Sequence, residues 1–479
     1  GDGKVTFVDA FLAGGLEYVS WYSTGYDNTR TLVTPSSITI TGNLIVVGQD
    51  TGETITIADN FAEVYAGSGD DTITAGSGVN WVFGFGGNDI ISTGAGNDSV
   101  YGGSGTDTIM GGEGNDNLNG GIGNDTLRGG KGNDTLFTDD GNDKLYGEDG
   151  NDVLVINGSG TQILDGGSGS DTFQIDLTDY TPSSNSFIIE IDLVKGIVGQ
   201  LGVTSGLNDN LISIENIDYR GNFSSVLTGD ATANTIRGGE GVDNINAGSG
   251  NDIIFAGKGD DIVNAGAGDD TVYASLGVDQ EDGGSGVDTF VIEGDFNYTP
   301  TIDLKKEKAY EYGTNPSLVN NKIRNFENVK AITTTGFVII GDDGNNLLEG
   351  GSGNDIIYGG TGSDIIKGGD GNDTLYTGSG DDKLEGGAGN DIIIQDGSGS
   401  QSYDGGTGTD LLKVDTSSGW VSQLNSSYPS IIEINMVTGE VGQKDNPNKR
   451  DTFSNIEDIT FIGSFDTLLT GDDKNNIIV

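Results

Sequence analysis

A nine-residue pattern, Gly-Gly-x-Gly-x-Asp-x-aliphatic-x, recurs without a gap through ten units from Ala66 to Val155. Among them are Gly102–Met110 (GGSGTDTIM), Gly111–Asn119 (GGEGNDNLN), Gly120–Arg128 (GGIGNDTLR) and Gly129–Phe137 (GGKGNDTLF). Gly166–Gln174 follows after a short irregular stretch. Seven units run from Gly229 to Val291 and six from Gly341 to Ile394, with Gly405–Lys413 behind them, and Gly471 opens another. A fixed short period of this kind specifies a solenoid, since each unit can bury its one apolar face only against its neighbours.

Each place in the unit has a physical role. Glycines at places one, two and four permit positive φ and close backbone approach in a tight turn. Places seven to nine read as a very short strand whose middle side chain points inward: Ile73, Ile109, Leu118, Leu127, Leu136, Leu154, Val263 and Leu375. Two units then make a coil of 18 residues, with a strand on each side and a turn at each end. Successive coils stack at about 4.8 Å.

That stacking sets up an electrostatic problem. Place-six aspartates 18 apart, such as Asp98 and Asp116, fall on the same edge of neighbouring coils. Two carboxylates about 5 Å apart repel by roughly 3 kcal/mol at an effective dielectric near 20. The chain carries 74 Asp plus Glu against 22 Lys plus Arg, a net charge of -52, and only 33% hydrophobic residues. Without a ligand such a composition reads as disordered. A divalent cation between each pair makes the column attractive, and turn carbonyls freed by the glycines can complete an oxygen cage. Calcium suits such a cage better than magnesium, which demands stricter octahedral geometry and keeps its waters.

The GGxGxDxUx nonapeptide resembles the RTX, or hemolysin-type, calcium-binding repeat. The resemblance implies an all-β fold: tandem calcium-bound parallel β-roll (β-solenoid) blocks, here separated by β-rich spacers. It also implies folding on export into millimolar calcium, multiple bound Ca²⁺ ions, and type I secretion from a Gram-negative cell. The family's calcium-ligating aspartate falls at place six. In the first block this gives Asp71, Asp89, Asp98, Asp107, Asp116, Asp125, Asp134, Asp143, Asp152 and Asp171. In the second it gives Asp243, Asp252, Asp261, Asp270, Asp279 and Asp288, and in the third Asp355, Asp364, Asp373, Asp382, Asp391 and Asp410. Asn80, Asn234, Asn346 and Asn476 replace Asp at place six, so sites there are expected to be weaker or absent. Glu281 stands at an apolar place and is expected to mark a distorted coil.

Composition also excludes function classes. So large a negative charge argues against nucleic acid and against anionic membrane surfaces. No apolar run approaches the 18 or so residues that span a bilayer, which argues against direct membrane insertion. The chain has no Cys and no His, which removes disulfides, thiol chemistry, His-based metalloproteases and Ser-His-Asp hydrolysis.

Between the repeat blocks (66–174, 229–291, 341–413 and the start of a further one at 471–479) lie spacers at 175–228, 292–340 and 414–470. They are related: Ile188–Gln200 (IIEIDLVKGIVGQ) matches Ile431–Gln443 (IIEINMVTGEVGQ), while the middle one keeps Ile302-Asp303-Leu304. Lys195-Gly196 and Thr438-Gly439 sit between alternating apolar residues, as hairpin turns do. Each spacer then carries a similar segment: Ser213–Ile217 (SIENI), Asn325–Val329 (NFENV) and Ser454–Ile459 (SNIEDI). The spacers are expected to extend and cap the solenoid, with carbohydrate or protein contact as the alternative. In the N-terminal region, 1–65, Gly1–Asp9 reads either as the second half of an EF-hand or dockerin-type loop or as a chance turn. In the loop reading, Asp2, Gly3 and Asp9 take its fifth, sixth and twelfth places, and Ala10–Tyr18 becomes the exiting helix. Residues about 20–65, with Trp21 and Tyr22, read as strands leading into the solenoid. Both ends look cut from a longer polypeptide.

Tandem architecture without a catalytic constellation points to a non-enzymatic structural protein of the cell surface: a surface layer, fibril or large adhesin. Its partners would be calcium, further copies of itself or other surface components. The alternative is the calcium-folded repeat region of a secreted enzyme or toxin whose catalytic module lies elsewhere.

Overall fold

The computed structural model describes residues 19–20, 31–33, 37–40, 44–48, 52–57, 62–180, 187–200, 209–294, 299–311, 321–415, 431–446, 450–463, 465–472 and 476–479. The half-loop at Gly1–Asp9, the exiting helix at Ala10–Tyr18, and Trp21 and Tyr22 lie outside them. Every regular element among the described residues is a β-strand, and no helix long and apolar enough to cross a membrane occurs among them. The chain divides into two compact units, Gly1–Gly221 and Asn222–Val479.

In the first unit the 18-residue coil is realised as two parallel ladders. One contains Asn80–Gly86, Ser99–Gly105, Asn117–Gly123, Thr135–Thr138 and Val153–Ile156. The other contains Thr72–Thr74, Ile90–Ala95, Thr108–Glu113, Thr126–Lys131 and Lys144–Asp149. Val100 pairs with Leu118, and Ile109 with Leu127, so inward aliphatics stack directly on one another. The core is therefore a single file of place-eight side chains from each sheet, and Ile109, Leu118, Leu127 and Leu136 are wholly buried. A core one side chain wide is thin, so the coil relies more than most folds on its backbone ladders and turns. The ladders begin before the first nonapeptide: Ser37–Ile40 pairs with Thr54–Ile57, and Leu44–Val47 with Ala62–Gly67.

The turns divide the glycine roles. Places two and four take positive φ, as at Gly103 (118°) and Gly105 (139°), whereas place one does not. A β-carbon on Gly123 would sit 1.4 Å from the carbonyl oxygen of Gly105 in the preceding coil. Stacking at strand spacing thus leaves no room for any side chain there. Outside the turns, place-five asparagines form a ladder of their own. The amides of Asn115, Asn133 and Asn151 each donate to the side-chain oxygen of the asparagine one coil earlier, at 2.8–2.9 Å.

The spacers are built into the sheets. In the first unit Ile163–Ser168 pairs in parallel with Asp209–Ile212, and Thr172–Leu177 with Asn216–Gly221. The intervening chain forms the hairpin Ile189–Asp192/Ile197–Gln200, turning at Gly196 (φ 67°) and joining the edge of Asp209–Ile212. In the second unit the same device is complete. Gln280–Ser285, Asn321–Arg324, Lys308–Glu311, Pro300–Asp303 and Val338–Ile340 follow one another in a sheet. The opposite sheet runs directly from Thr289–Glu293 through Asn328–Ile332 to Leu347–Glu349. The hairpin therefore adds two strands to one face only. The third spacer repeats this with Ile431–Asn435 and Glu440–Gln443, inserted between Arg450–Ser454 and Asp466–Thr470. Its two strands enter the sheet that the previous hairpin left regular.

Candidate metal sites along the coil edges

All 22 place-six aspartates named above are buried, none more than 2% exposed. They form columns on the edges of each unit, because the strand that follows each one locks its register to the coil before. Within a column every carboxylate is used in the same way. The amide of Asp107 donates to Oδ1 of Asp125 (2.8 Å), that of Asp125 to Oδ1 of Asp143 (2.9 Å), and that of Asp116 to Oδ1 of Asp134 (2.7 Å). The second unit repeats this from Asp252 to Asp270 and from Asp373 to Asp391, both at 2.8 Å.

The second oxygen is left over. Oδ2 is buried without a hydrogen-bond partner in every one of the 22 except Asp243 and Asp279. Its surroundings are small and rich in oxygen. A β-carbon on Gly147 would lie 2.2 Å from Oδ2 of Asp152 and 2.4 Å from the carbonyl oxygen of Gly166. At Gly368 the corresponding distances are 2.3 Å to Asp373 Oδ2 and 2.5 Å to the Gly386 carbonyl. Place one is thus glycine for space rather than for φ: a carboxylate and a carbonyl from the next coil converge there. A buried oxygen without a donor is costly. A hard cation answers the cost of many at once.

At Gln162, Gln401 and Asn346 an amide stands at place six and both of its ends are engaged, whereas Asn80 keeps a buried Oδ1 without a partner. Gln162 accepts from the amide of Asp143 at 2.6 Å, and its Nε2 donates to the Gly141 carbonyl at 3.0 Å. Gln401 does the same with Asp382 (2.7 Å) and Gly380 (2.8 Å). Asn346 donates from Nδ2 to the Glu327 carbonyl at 2.8 Å. In each case the amide N–H donates to a backbone carbonyl of the coil before, a bond that no carboxylate can make. Four such amide positions (Asn80, Asn234, Asn346 and Asn476) were legible from the repeat, whereas Gln162 and Gln401 lie in irregular stretches and were not.

Sequence reasoning also missed how the spacers continue the columns. The amide of Asp171 donates to Oε2 of Glu215 (2.8 Å), that of Asp288 to Glu327 (2.8 Å), and that of Asp410 to Glu457 (3.1 Å). These three glutamates are the shared acid of the SIENI, NFENV and SNIEDI segments, which was the available signal. Ser213, Asn325 and Asn455 (φ 49–53°) make the accompanying turn without glycine. Their carbonyl oxygens approach Gly166, Gly283 and Gly405 as a repeat carbonyl would. Asp209 and Asp451 accept from the amides of Gln162 and Gln401, and Oδ2 of Asp209 is another leftover oxygen.

Burial pushes these carboxyls up, against the pull of the backbone donor, and neighbouring carboxylates push most of them further. Asp89, Asp116, Asp125, Asp261, Asp355 and Asp364 are pushed up to about 7. Asp134, Asp152, Asp252 and Asp373 reach about 6. At neutral pH these columns are charged at a cost that a counter-ion removes. Among the described residues no three acidic side chains gather at one point. Each cradle would therefore draw carboxylates from adjacent coils and the rest of its oxygens from turn carbonyls. That donor set, all oxygen and partly flexible, fits Ca²⁺.

A family model described as the RTX calcium-binding nonapeptide repeat (4 copies) matches residues 65–100, 83–118, 101–136, 119–154, 221–254, 228–263, 255–290, 338–366 and 358–393. No curated protein matches the chain.

Proposed function

The chain belongs to the family of RTX calcium-binding repeat proteins, and from that premise we propose that it is a calcium-folded structural protein of the cell surface, part of a surface layer, fibril or large adhesin. Calcium-binding repeats of this family are typical of secreted proteins. The proposed ligands are Oδ2 atoms of the place-six aspartates, joined by turn carbonyls of the adjacent coils. The observation that carries the reading is the column of leftover carboxylate oxygens, which recurs in all three blocks and is interrupted at Gln162 and Gln401, where an amide supplies its own donor. Calcium would then be the folding and stiffening agent of the repeat coils.

The structural role is supported by how the chain is spent. Both repeats and described spacer strands go into the same ladders. Circular dichroism and light scattering, begun in EGTA and continued through a calcium titration to several millimolar, test the proposal. A coil-to-β transition followed by large ordered particles supports it. A β-structured but compact, soluble monomer supports instead the repeat region of a secreted enzyme or toxin. β-structure indifferent to EGTA overturns the calcium reading.

A further inference from the structure

One acid in the core belongs to neither pattern. Glu281 occupies place eight, and its coil is regular: it stands in register between Val263 and Ile323. The distortion expected from its sequence position is absent. It is 1% exposed, and both Oε1 and Oε2 are buried without a partner. In the matching coil before the first spacer, the same position is Leu164, wholly buried, and place six is the neutral Gln162. The second block therefore carries two carboxylates, Asp279 and Glu281, where the first carries none.

The neighbouring aspartate explains what the glutamate is for. Asp279 is one of the two place-six aspartates whose Oδ2 is satisfied, here by the hydroxyl of Ser275 (3.1 Å) and the amide Nδ2 of Asn321 (2.9 Å). Its Oδ1 accepts from the amide of Asp261 at 2.9 Å. Asp261, one coil earlier on the same edge, keeps its leftover Oδ2. Asp279 immediately precedes the strand Gln280–Ser285 and Glu281 lies two residues on, both 1% exposed, so the longer side chain can return to the edge where Asp279 is engaged. The pairing of Glu281 with Val263, two residues after Asp261, sets it in register with the coil that carries that aspartate.

We propose that Glu281 is a calcium ligand reaching the metal from inside the coil, where it takes the place of Asp279 and closes a site with Oδ2 of Asp261. A neutral, protonated Glu281 would leave a hydroxyl with no acceptor in an apolar core, whereas a divalent ion uses both of its free oxygens. The inference rests on the calcium reading above.

Hydrogen exchange of the whole chain, read peptide by peptide across a calcium titration, tests it. The segment 261–293 reports the site, and 99–137 serves as an internal reference. Glu281→Gln keeps the shape of the protonated acid but cannot carry its charge. It should raise the calcium concentration that protects 261–293 by about tenfold or more, with the reference unmoved. Glu281→Leu, which copies the first block, should shift the segment in the same direction. Unchanged protection in Glu281→Gln, or protection at lower calcium in Glu281→Leu, would show a merely buried acid and overturn the proposal. Failure of calcium to protect the reference in the unaltered protein would sink the general calcium reading instead.

Discussion

Around Asp125 and around Gln162 the backbone does the same thing with different side chains. Both accept an amide from the coil before and feed their own amide to the coil after. The aspartate coil is left with a buried anionic oxygen, and the glutamine coil covers its turn carbonyl with its own N–H. The difference separates two jobs that the repeat motif fuses. Register is set by the first side-chain oxygen and the amide ladder. In the calcium reading proposed above, dependence on a cation rests on the second oxygen. The Gln162 and Gln401 coils thus hold register without a leftover carboxylate oxygen, whereas the matching coil of the second block keeps Asp279 and Glu281.

Chelation should break this comparison most completely. At pH 7, EGTA is expected to expose amides throughout 66–155, 235–292 and 347–394 to rapid exchange, with loss of the β signal in circular dichroism. Acid should act next most strongly, and with opposite signs in the two conditions. In chelator the folded carboxyls are raised to about 6–7 at Asp89, Asp116, Asp134 and Asp152, above their unfolded range near 4. The folded state then binds more protons, so stability falls as pH rises from about 4 to about 7. Chelated protein should regain β-structure on acidification through that window. Protein in calcium should lose its metal over the same range, since ligands must be deprotonated. Circular dichroism against pH, with and without EGTA, distinguishes the two, and a chelated form that loses structure on acidification from pH 7 to 4 would contradict the buried columns.

Smaller changes sharpen the contrast. Gly123→Ala forces a side chain to within 1.4 Å of a carbonyl oxygen at φ 147°. It should cost about 2–3 kcal/mol in denaturant unfolding in saturating calcium. Gln162→Leu removes the partner of the Asp143 amide and of the Gly141 carbonyl, at about 1–3 kcal/mol whatever the calcium concentration. Gln162→Glu should instead make that coil calcium-dependent, visible as exchange of 141–165 that responds to metal only in the variant. Asn133→Ala removes one rung of the exposed outer ladder and should cost about 0.5 kcal/mol, equally with and without metal.

The regular coil was largely legible because every interaction in it repeats at a fixed distance along the chain. Leu118 could be placed inside, and Asp116 at an edge, from spacing alone. Legibility failed where partners are 39 to 47 residues apart, as for Asp171 with Glu215, Asp288 with Glu327 and Asp410 with Glu457. The recurrence of the SIENI-like segments was visible, but the job of their glutamate was not. That job exists only once a strand has returned across a hairpin to the coil it left. Gln162 and Gln401 were hidden for the same reason, since their unit is one residue longer than the period.

Glu281 marks the boundary between the two kinds of knowledge. From sequence it is an acid at an apolar place. Its register with Val263 and Ile323, and the engagement of Asp279 by Ser275 and Asn321, make it a residue with a purpose. The sequence by itself determined the 18-residue coil, the aliphatic file and the acidic columns, because those follow from local period and steric demand. Only the tertiary structure decided which residues carry the columns across the spacers, which sheet receives each hairpin, and which oxygens are left without a donor. Those depend on strand pairings that close long loops, and loop closure obeys no local period.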